Sequence, residues 1–445
     1  FENNTTGASN TSMGKDSMYT NTTGDNNVAI GIQALYSNTT ASNNTAVGRD
    51  ALYTNSTGAD NTAVGRGALV QNTTASNNTA VGRDALGDNT TGADNTAVGM
   101  NALEVNTTGQ RNVAIGKDAL KSNDDGGYNI AVGFEALKAN LASNNIAIGK
   151  STMEANTTGT RNLAIGYEAY VGSNTEHDNV AIGYNAMYTD TAGGTKNVVL
   201  GNYAGNAITS GDDNAGVGYD AIGKVTTGSA NYGFGTGALE SVTSGEYNIG
   251  IGYVAGNHGI NLADGVKNVI IGAYADTSAT NSEFQIVMGY NVTSNGNNSF
   301  TFGNGSTDSA IAFGATSISA PSDIRLKQNI NDDVAGLSFI NDLRPVTYEW
   351  RKEKDIPEEM RTHVAGSEER FNNDFVNHGF IAQEVKEVID NHSEIKDGFK
   401  MWVEDEIDGR QRIAEGALVP MLVKSVQELS AQNADLLARI ETLEG

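Results

Sequence analysis

The sequence predicts a mainly β protein: a trimeric β-solenoid, or β-roll, shaft of about 17-residue repeats, then an α+β domain ending in a coiled-coil helix. Three observations predict it. A short glycine-closed element, Asn-x-Ala-(Val/Ile)-Gly, recurs at near-constant spacing through the first two thirds of the chain. All four prolines (Pro321, Pro345, Pro357, Pro420) and both tryptophans (Trp350, Trp402) lie at or after position 321. The last segment carries leucines every seven residues.

The repeat element occupies Asn27–Gly31, Asn44–Gly48, Asn61–Gly65, Asn78–Gly82, Asn95–Gly99 and Asn112–Gly116, and its glycines continue to Gly252, mostly in steps of 17. An earlier copy ends at Gly14, and later ones at Gly272, Gly289, Gly303 and Gly314 are irregularly spaced. A fixed period of this size marks a stacked array. Each unit reads as two short strands, one at the Asn-x-Ala element and one at an Ala-Leu pair such as Ala51-Leu52 or Ala68-Leu69. Alternation along the first strand sends Thr62 and Val64 to one face and Asn61, Ala63 and Gly65 to the other. The Val/Ile column then supplies the wider apolar layer, and the small Ala column is expected to meet other chains. Asn-Thr-Thr-Gly stretches such as Asn106–Gly109 read as turns, with Gly at positive φ and Asn and Thr bonding nearby backbone. Coils stacked at roughly 4.8 Å each would make a rod of about 90 Å.

Composition narrows the functional classes. The 445 residues include 53 Gly and no Cys, with 38% apolar residues and a formal charge of -25. So thin an apolar content requires repetition or partners to bury enough surface. The net negative charge disfavours nucleic acid. Without Cys there are no disulfides or thiolate metal sites, and no apolar run is long enough for membrane insertion. The chain opens inside a repeat without an initiator Met or signal-peptide pattern, so a fragment or processed product is expected. A boundary near Pro321 follows from charge density: the last 123 residues hold 41 charged side chains, against 40 in the first 322. The expected domains are therefore a shaft at 1–275, an irregular β tip at 276–321, and a C-terminal domain at 322–445 whose terminal helix spans 418–444.

The tip gathers Phe284, Tyr290, Phe300, Phe302 and Phe313. Aromatics at a distal end can bind a host glycan or protein, or form the core of a capping trimer knot. In the last helix Leu422, Leu429, Leu436 and Leu443 alternate with Val419, Val426, Asn433 and Ile440 in an a/d heptad pattern, which predicts a coiled coil with Asn433 setting register. The competing reading is an amphipathic helix packed on its own domain.

Other patterns carry less. Asn-x-Thr sequons such as Asn38-Thr39-Thr40 and Asn72-Thr73-Thr74 match the glycosylation acceptor pattern, but the turn reading accounts for them. Threonine rows suggest an ice-binding face, against which Thr positions mix with Val, Ile and Leu after residue 112. Asp124-Asp125 and Asp212-Asp213 lack a regular calcium-ligand series. The five histidines are scattered, and no carboxylate pair suggests a glycan-cutting cleft. Neither a metal nor a cofactor is expected.

Two resemblances go further. Residues 1–275 resemble the YadA-like head repeats of trimeric autotransporter adhesins, which are stacked β-rolls assembled as trimers. The 17-residue period exceeds the common head repeat, so the loops are expected to differ. The junction Ser322-Asp323-Ile324-Arg325-Leu326-Lys327 resembles the start of the intramolecular chaperone domain at the ends of phage tail spikes, tail fibres and endosialidases. The resemblance continues through Leu343–Trp350, Gly379–Val385 and Leu418–Lys424. It implies a domain that trimerises, templates folding of the upstream β-structure and releases itself by autoproteolysis. Carried over by motif, Ser322 is the nucleophile, Lys327 its general base and Arg325 a supporting cation, with Pro321, Ser322 and Asp323 framing the cleavage site. A serine hydroxyl needs a proton acceptor, and a lysine serves where desolvation or a nearby cation disfavours its ammonium form. Residues five apart face different ways on a helix or strand, so a bend or a partner chain must join Ser322 to Lys327. Attack on the preceding carbonyl passes through a five-membered ring and cuts Pro321–Ser322; cleavage after Ser322 through another subunit's group stays open. The plain alternative is that Ser322-Asp323 caps a helix.

The resulting expectation is a phage tail fibre, or a fibre of a phage-like device, on a virion tail or an extracellular surface. It would form a homotrimer that binds a host cell-surface glycan or protein, and its only catalysis would be a single self-cleavage. The alternatives are a bacterial trimeric surface adhesin with the same chaperone, and part of a polysaccharide depolymerase spike.

Overall fold

The structure is a computed structural model that describes residues 3–189, 194–305, 307–315, 324, 327–360, 362–393, 395, 401–404 and 409–444. The chain divides into two compact units, Phe1–Pro321 and Ser322–Gly445.

The first unit is a β-solenoid. Three-residue strands, from β1 (Thr11–Met13) to β16 (Val269–Ile271), stack in parallel and in register, so Thr45 faces Thr62 and Thr62 faces Thr79. The longer β17 (Gln285–Tyr290) and β18 (Ser299–Asn304) continue the parallel stack beyond residue 275. β19 (Thr307–Ala312) then turns back antiparallel on β18.

The facing of the strands reverses the expectation. Ala46, Ala63 and Ala80 at the strand centres are fully buried inside their own coil, whereas Val64, Val81 and Val98 are 37% exposed on the outer face. A coil with a three-residue strand encloses only a narrow interior. It takes Ala opposite Leu and leaves the larger β-branched side chains outside. The Ala column is therefore no partner surface; the Thr/Val/Ile face is the open one.

The Ala-Leu pair is likewise a turn and no second strand. Leu52, Leu69 and Leu86 sit at φ of 50 to 52° with their side chains fully buried. This left-handed conformation disfavours L-residues, and it aims each Leu inward where an extended chain would not. The glycine closing each strand is required on two counts: Gly65 lies at φ +143°, and a Cβ there would fall 2.3 Å from the carbonyl oxygen of Gly82.

Two columns of buried asparagine complete the interior. In the first, the backbone N–H of Asn78 donates to Oδ1 of Asn61 at 3.0 Å, and Nδ2 of Asn61 donates to the carbonyl of Ala75 at 2.9 Å. In the second, Nδ2 of Asn72 donates to Oδ1 of Asn55 at 2.8 Å and to the carbonyl of Ala75 at 3.0 Å. Along most of the two columns the buried amides are thereby satisfied within the stack; Oδ1 of Asn156 is buried without a hydrogen-bond partner. Asn38 and Asn72, from the sequons, belong to the second column and are fully buried, so the folded shaft offers neither as a glycan acceptor.

The second unit is α+β. Helices α1 (Leu337–Asp342), α2 (Ala382–Asn391) and α3 (Val419–Glu444) accompany two antiparallel pairs, β20 (Val346–Tyr348) with β21 (Asn377–Gly379) and β22 (Trp402–Glu404) with β23 (Gln411–Ile413). Its core gathers Ala335, Phe339, Leu343, Val385, Ile389, Met401, Leu418 and Met421. Among the described residues no helix is long and apolar enough to cross a membrane.

Candidate functional site

The second unit brings together segments far apart in sequence. Leu343–Trp350 contains β20, and Gly379–Val385 begins at the end of β21 and enters α2; Val346 pairs with Gly379 across the two strands. The Arg344 guanidinium spans the same junction, with Nε donating to Glu384 Oε2 at 2.9 Å. That hydrogen bond holds the Glu384 carboxyl below its ordinary range. Trp350 packs edge-on against Tyr348 and Phe371. Leu418 and Met421, from the third motif, enter the core at 6% and 5% exposure.

A cavity of about 610 Å³ opens beside Trp350, Pro357, Phe371, Gln383 and Arg412. It joins an aromatic wall to guanidinium groups, with Glu349 and Thr362 also on its lining. No group of three or more His, Cys, Asp or Glu that could hold a metal occurs among the described residues.

The residues expected to cut the chain fall mostly elsewhere. Pro321, Ser322, Asp323 and Arg325 lie outside the described residues. Lys327 is described; it is exposed, and its backbone N–H donates to the carbonyl of Ile324 at 3.1 Å. Ile324, Ile330 and Val334 around it are 63 to 72% exposed, an apolar run that the core of its own unit does not cover.

Helix α3 carries two different stripes. Met421 and Ser425 are buried, and Glu428 reaches α1, its Oε2 accepting from the backbone N–H of Leu337 at 2.8 Å. That stripe packs the start of the helix onto its own unit. The heptad stripe is separate: Leu422, Val426, Leu429, Leu436, Ile440 and Leu443 are all exposed, as is Asn433.

In the shaft, Phe284, Tyr290 and Phe313 are exposed, while Phe300 and Phe302 are half-buried with ring centroids 5.0 Å apart. Phe284 lies under the ammonium of Lys267, 5.0 Å from the ring centroid. Sequence reasoning missed a larger feature, to which Phe300 and Phe302 of β18 belong. The outer sheet face adds Leu200, Val217, Phe234, Ile251 and Met288, each exposed, to the Val64–Val98 column. The signal was available in the alternation of the Asn-x-Ala-(Val/Ile)-Gly element, which keeps the outer positions apolar in nearly every coil.

No curated protein and no solved structure matches the chain. Residues 322–394, which begin at the first residue of the second unit, match the family described as chaperone of endosialidase. The chain is thus a β-solenoid shaft followed by a segment similar to a self-cleaving intramolecular chaperone.

Proposed function

We propose that this chain is a fibre of a phage tail or phage-like particle that takes part in host attachment, and that its shaft is a homotrimer whose assembly is guided by residues 322–445. The observation that carries the reading is the family match, because it starts where the compact β unit ends. Two surfaces support it. The Thr/Val/Ile face of the solenoid runs the length of the sheet and is apolar and open in one chain; burying such surface drives association. The heptad stripe of α3 is open as well, and an a/d stripe of this kind is buried in a coiled coil.

In this reading Ser322 Oγ attacks the carbonyl carbon of Pro321, and Lys327 takes the hydroxyl proton. The Pro321–Ser322 peptide bond breaks, the proton passes to the Ser322 nitrogen, and water hydrolyses the resulting ester to free the carboxylate of Pro321. Exclusion of water around a lysine disfavours its ammonium form and lets it act as a base. Covering Ile324, Ile330 and Val334 by sister chains would exclude that water, which couples cutting to assembly. The shaft left behind would then present Phe284, Tyr290 and Phe313 towards a host glycan or protein.

The test is the product on a denaturing gel. The unaltered protein should yield a fragment ending at Pro321 and a released C-terminal piece, whereas Ser322→Ala and Lys327→Ala should yield the full-length chain only. Equal processing in Ser322→Ala would overturn the assignment. Native mass measurement of the shaft would separately test the trimer.

A further inference from the structure

The interior of the shaft changes chemistry along its length. In the coils closed by Gly31 through Gly133, the same interior recurs: two Asn, two Ala and one Leu, as in Asn61, Ala63, Ala68, Leu69 and Asn72. From Val199 onward the second Asn column is replaced by Ile208, Val225, Val242 and Leu262, all fully buried. Glycines make the room for these larger side chains. A Cβ on Gly205 would fall 2.8 Å from Val199 Cγ1 and 2.9 Å from Ile208 Cδ1, one on Gly216 2.6 Å from Ile222 Cγ1, and one on Gly250 2.6 Å from Leu239 Cγ. The two zones therefore differ in how a coil is stabilised.

An Asn of the second column is satisfied only when the coils above and below are in place, since Asn72 gives one bond to Asn55 and receives one from Asn89. A coil of this kind standing alone strands buried amide groups, and stranded groups in a dry interior are costly. A coil centred on Ile222 and Val225 strands no side-chain amide in that column, and it gains from apolar burial as soon as it closes. The polar zone can extend an existing stack but starts one poorly. The apolar zone keeps only the first asparagine column, Asn214, Asn231 and Asn248, and so starts one with fewer stranded amides.

We infer that residues 199–292 form the seed of the shaft, on which coils 21–172 are added in order towards the N-terminus. The seed is also the part of the solenoid nearest in sequence to residues 322–445. The inference concerns the shaft alone and stands whether or not the chain is cut at Ser322.

Hydrogen exchange of the full chain, read by mass spectrometry, tests it. With rising denaturant, peptides from 21–172 should lose protection in a step that leaves 199–292 at least tenfold more protected. In pulse labelling during refolding, 199–292 should become protected first. Equal protection, or the reverse order in either experiment, would overturn the inference. Asn89→Ala should speed local opening in the polar zone and leave exchange in 199–292 unchanged; Val225→Asn should delay protection in both zones. If Val225→Asn does not fold, the order of exchange in the unaltered chain still decides.

Discussion

Replacing one asparagine of the second column should cost more than its own hydrogen bonds, and replacing three neighbours should cost less than three times as much. Asn72→Ala removes the bond from Asn72 Nδ2 to Asn55 Oδ1 at 2.8 Å and the bond from Asn89 Nδ2 to Asn72 Oδ1 at 2.9 Å. It strands an acceptor on Asn55 and a donor on Asn89, both fully buried. Two such groups at about 1–3 kcal/mol each imply a loss of roughly 2–6 kcal/mol. Replacing Asn55, Asn72 and Asn89 together moves the stranded groups to Asn38 and Asn106, so only two remain, where independent sites would leave six. The triple variant should therefore be destabilised by at least about 4 kcal/mol less than the sum of the three single variants. Local opening free energies from hydrogen exchange in the bracketing coils give each value. Additive costs, or a single-variant loss below about 0.5 kcal/mol, would refute the view that the column is a mutually dependent stack.

Four other outcomes are expected. Gly65→Ala should cost at least about 2 kcal/mol, because φ +143° disfavours any L-residue there and a Cβ would fall 2.3 Å from the Gly82 carbonyl oxygen; Gly58→Ala should cost less, since a Cβ there also approaches a carbonyl oxygen, at 2.2 Å, but φ is not positive and Ala41 and Ala75 occupy the equivalent site in neighbouring coils, and thermal unfolding of both variants checks the contrast. Glu428→Ala should lower the stability of the second unit by about 1 kcal/mol through loss of the acceptor for the Leu337 N–H, with Glu428→Gln losing less; Trp350 and Trp402 both lie in that unit, so tryptophan fluorescence follows it alone. Hydrogen bonds from Lys352 and then Lys354 hold the Glu368 carboxyl at about 2 against an ordinary 4.5. Its contribution is therefore full above pH 4.5 and lost as pH falls through about 2; Glu368→Gln or high salt should flatten that part of the acid fluorescence profile. Val217→Glu, on the open sheet face, should leave the fold of one chain intact and abolish association in native mass measurements; unchanged assembly would locate the contact elsewhere.

Much of the shaft was legible because its period is. The spacing of Asn61, Ala63 and Gly65 from their copies at 78, 80 and 82 fixes the parallel register, and the three-residue strand follows from so short a repeat. Which face points inward was not legible. Hydrophobicity favours Val64 over Ala63 for an interior, but the width of the coil decides, and width depends on turns that residue type does not reveal. Leu52 at φ +50° is the clearest example: leucine rarely adopts this conformation, so the Ala-Leu pair read as a strand. The asparagines were visible as turn formers, yet their role across coils needs the stack itself. In the second unit, pairing of the Leu343–Trp350 and Gly379–Val385 motifs could be anticipated only through family resemblance, because nothing in either segment names the other.

The left-handed leucines bear on how the end of such a fibre wears. Leu69, Leu86 and Leu103, at φ of 50 to 52°, hold a torsion that costs an L-residue roughly 1 kcal/mol or more, and stacking against the next coil keeps them there. A terminal coil that lets go relaxes at once into ordinary torsions, and reseating it requires several unfavourable rotations together. An end coil carrying such a leucine should behave as a latch with two settings, seated or released, and half-peeled coils open to proteolysis should be scarce.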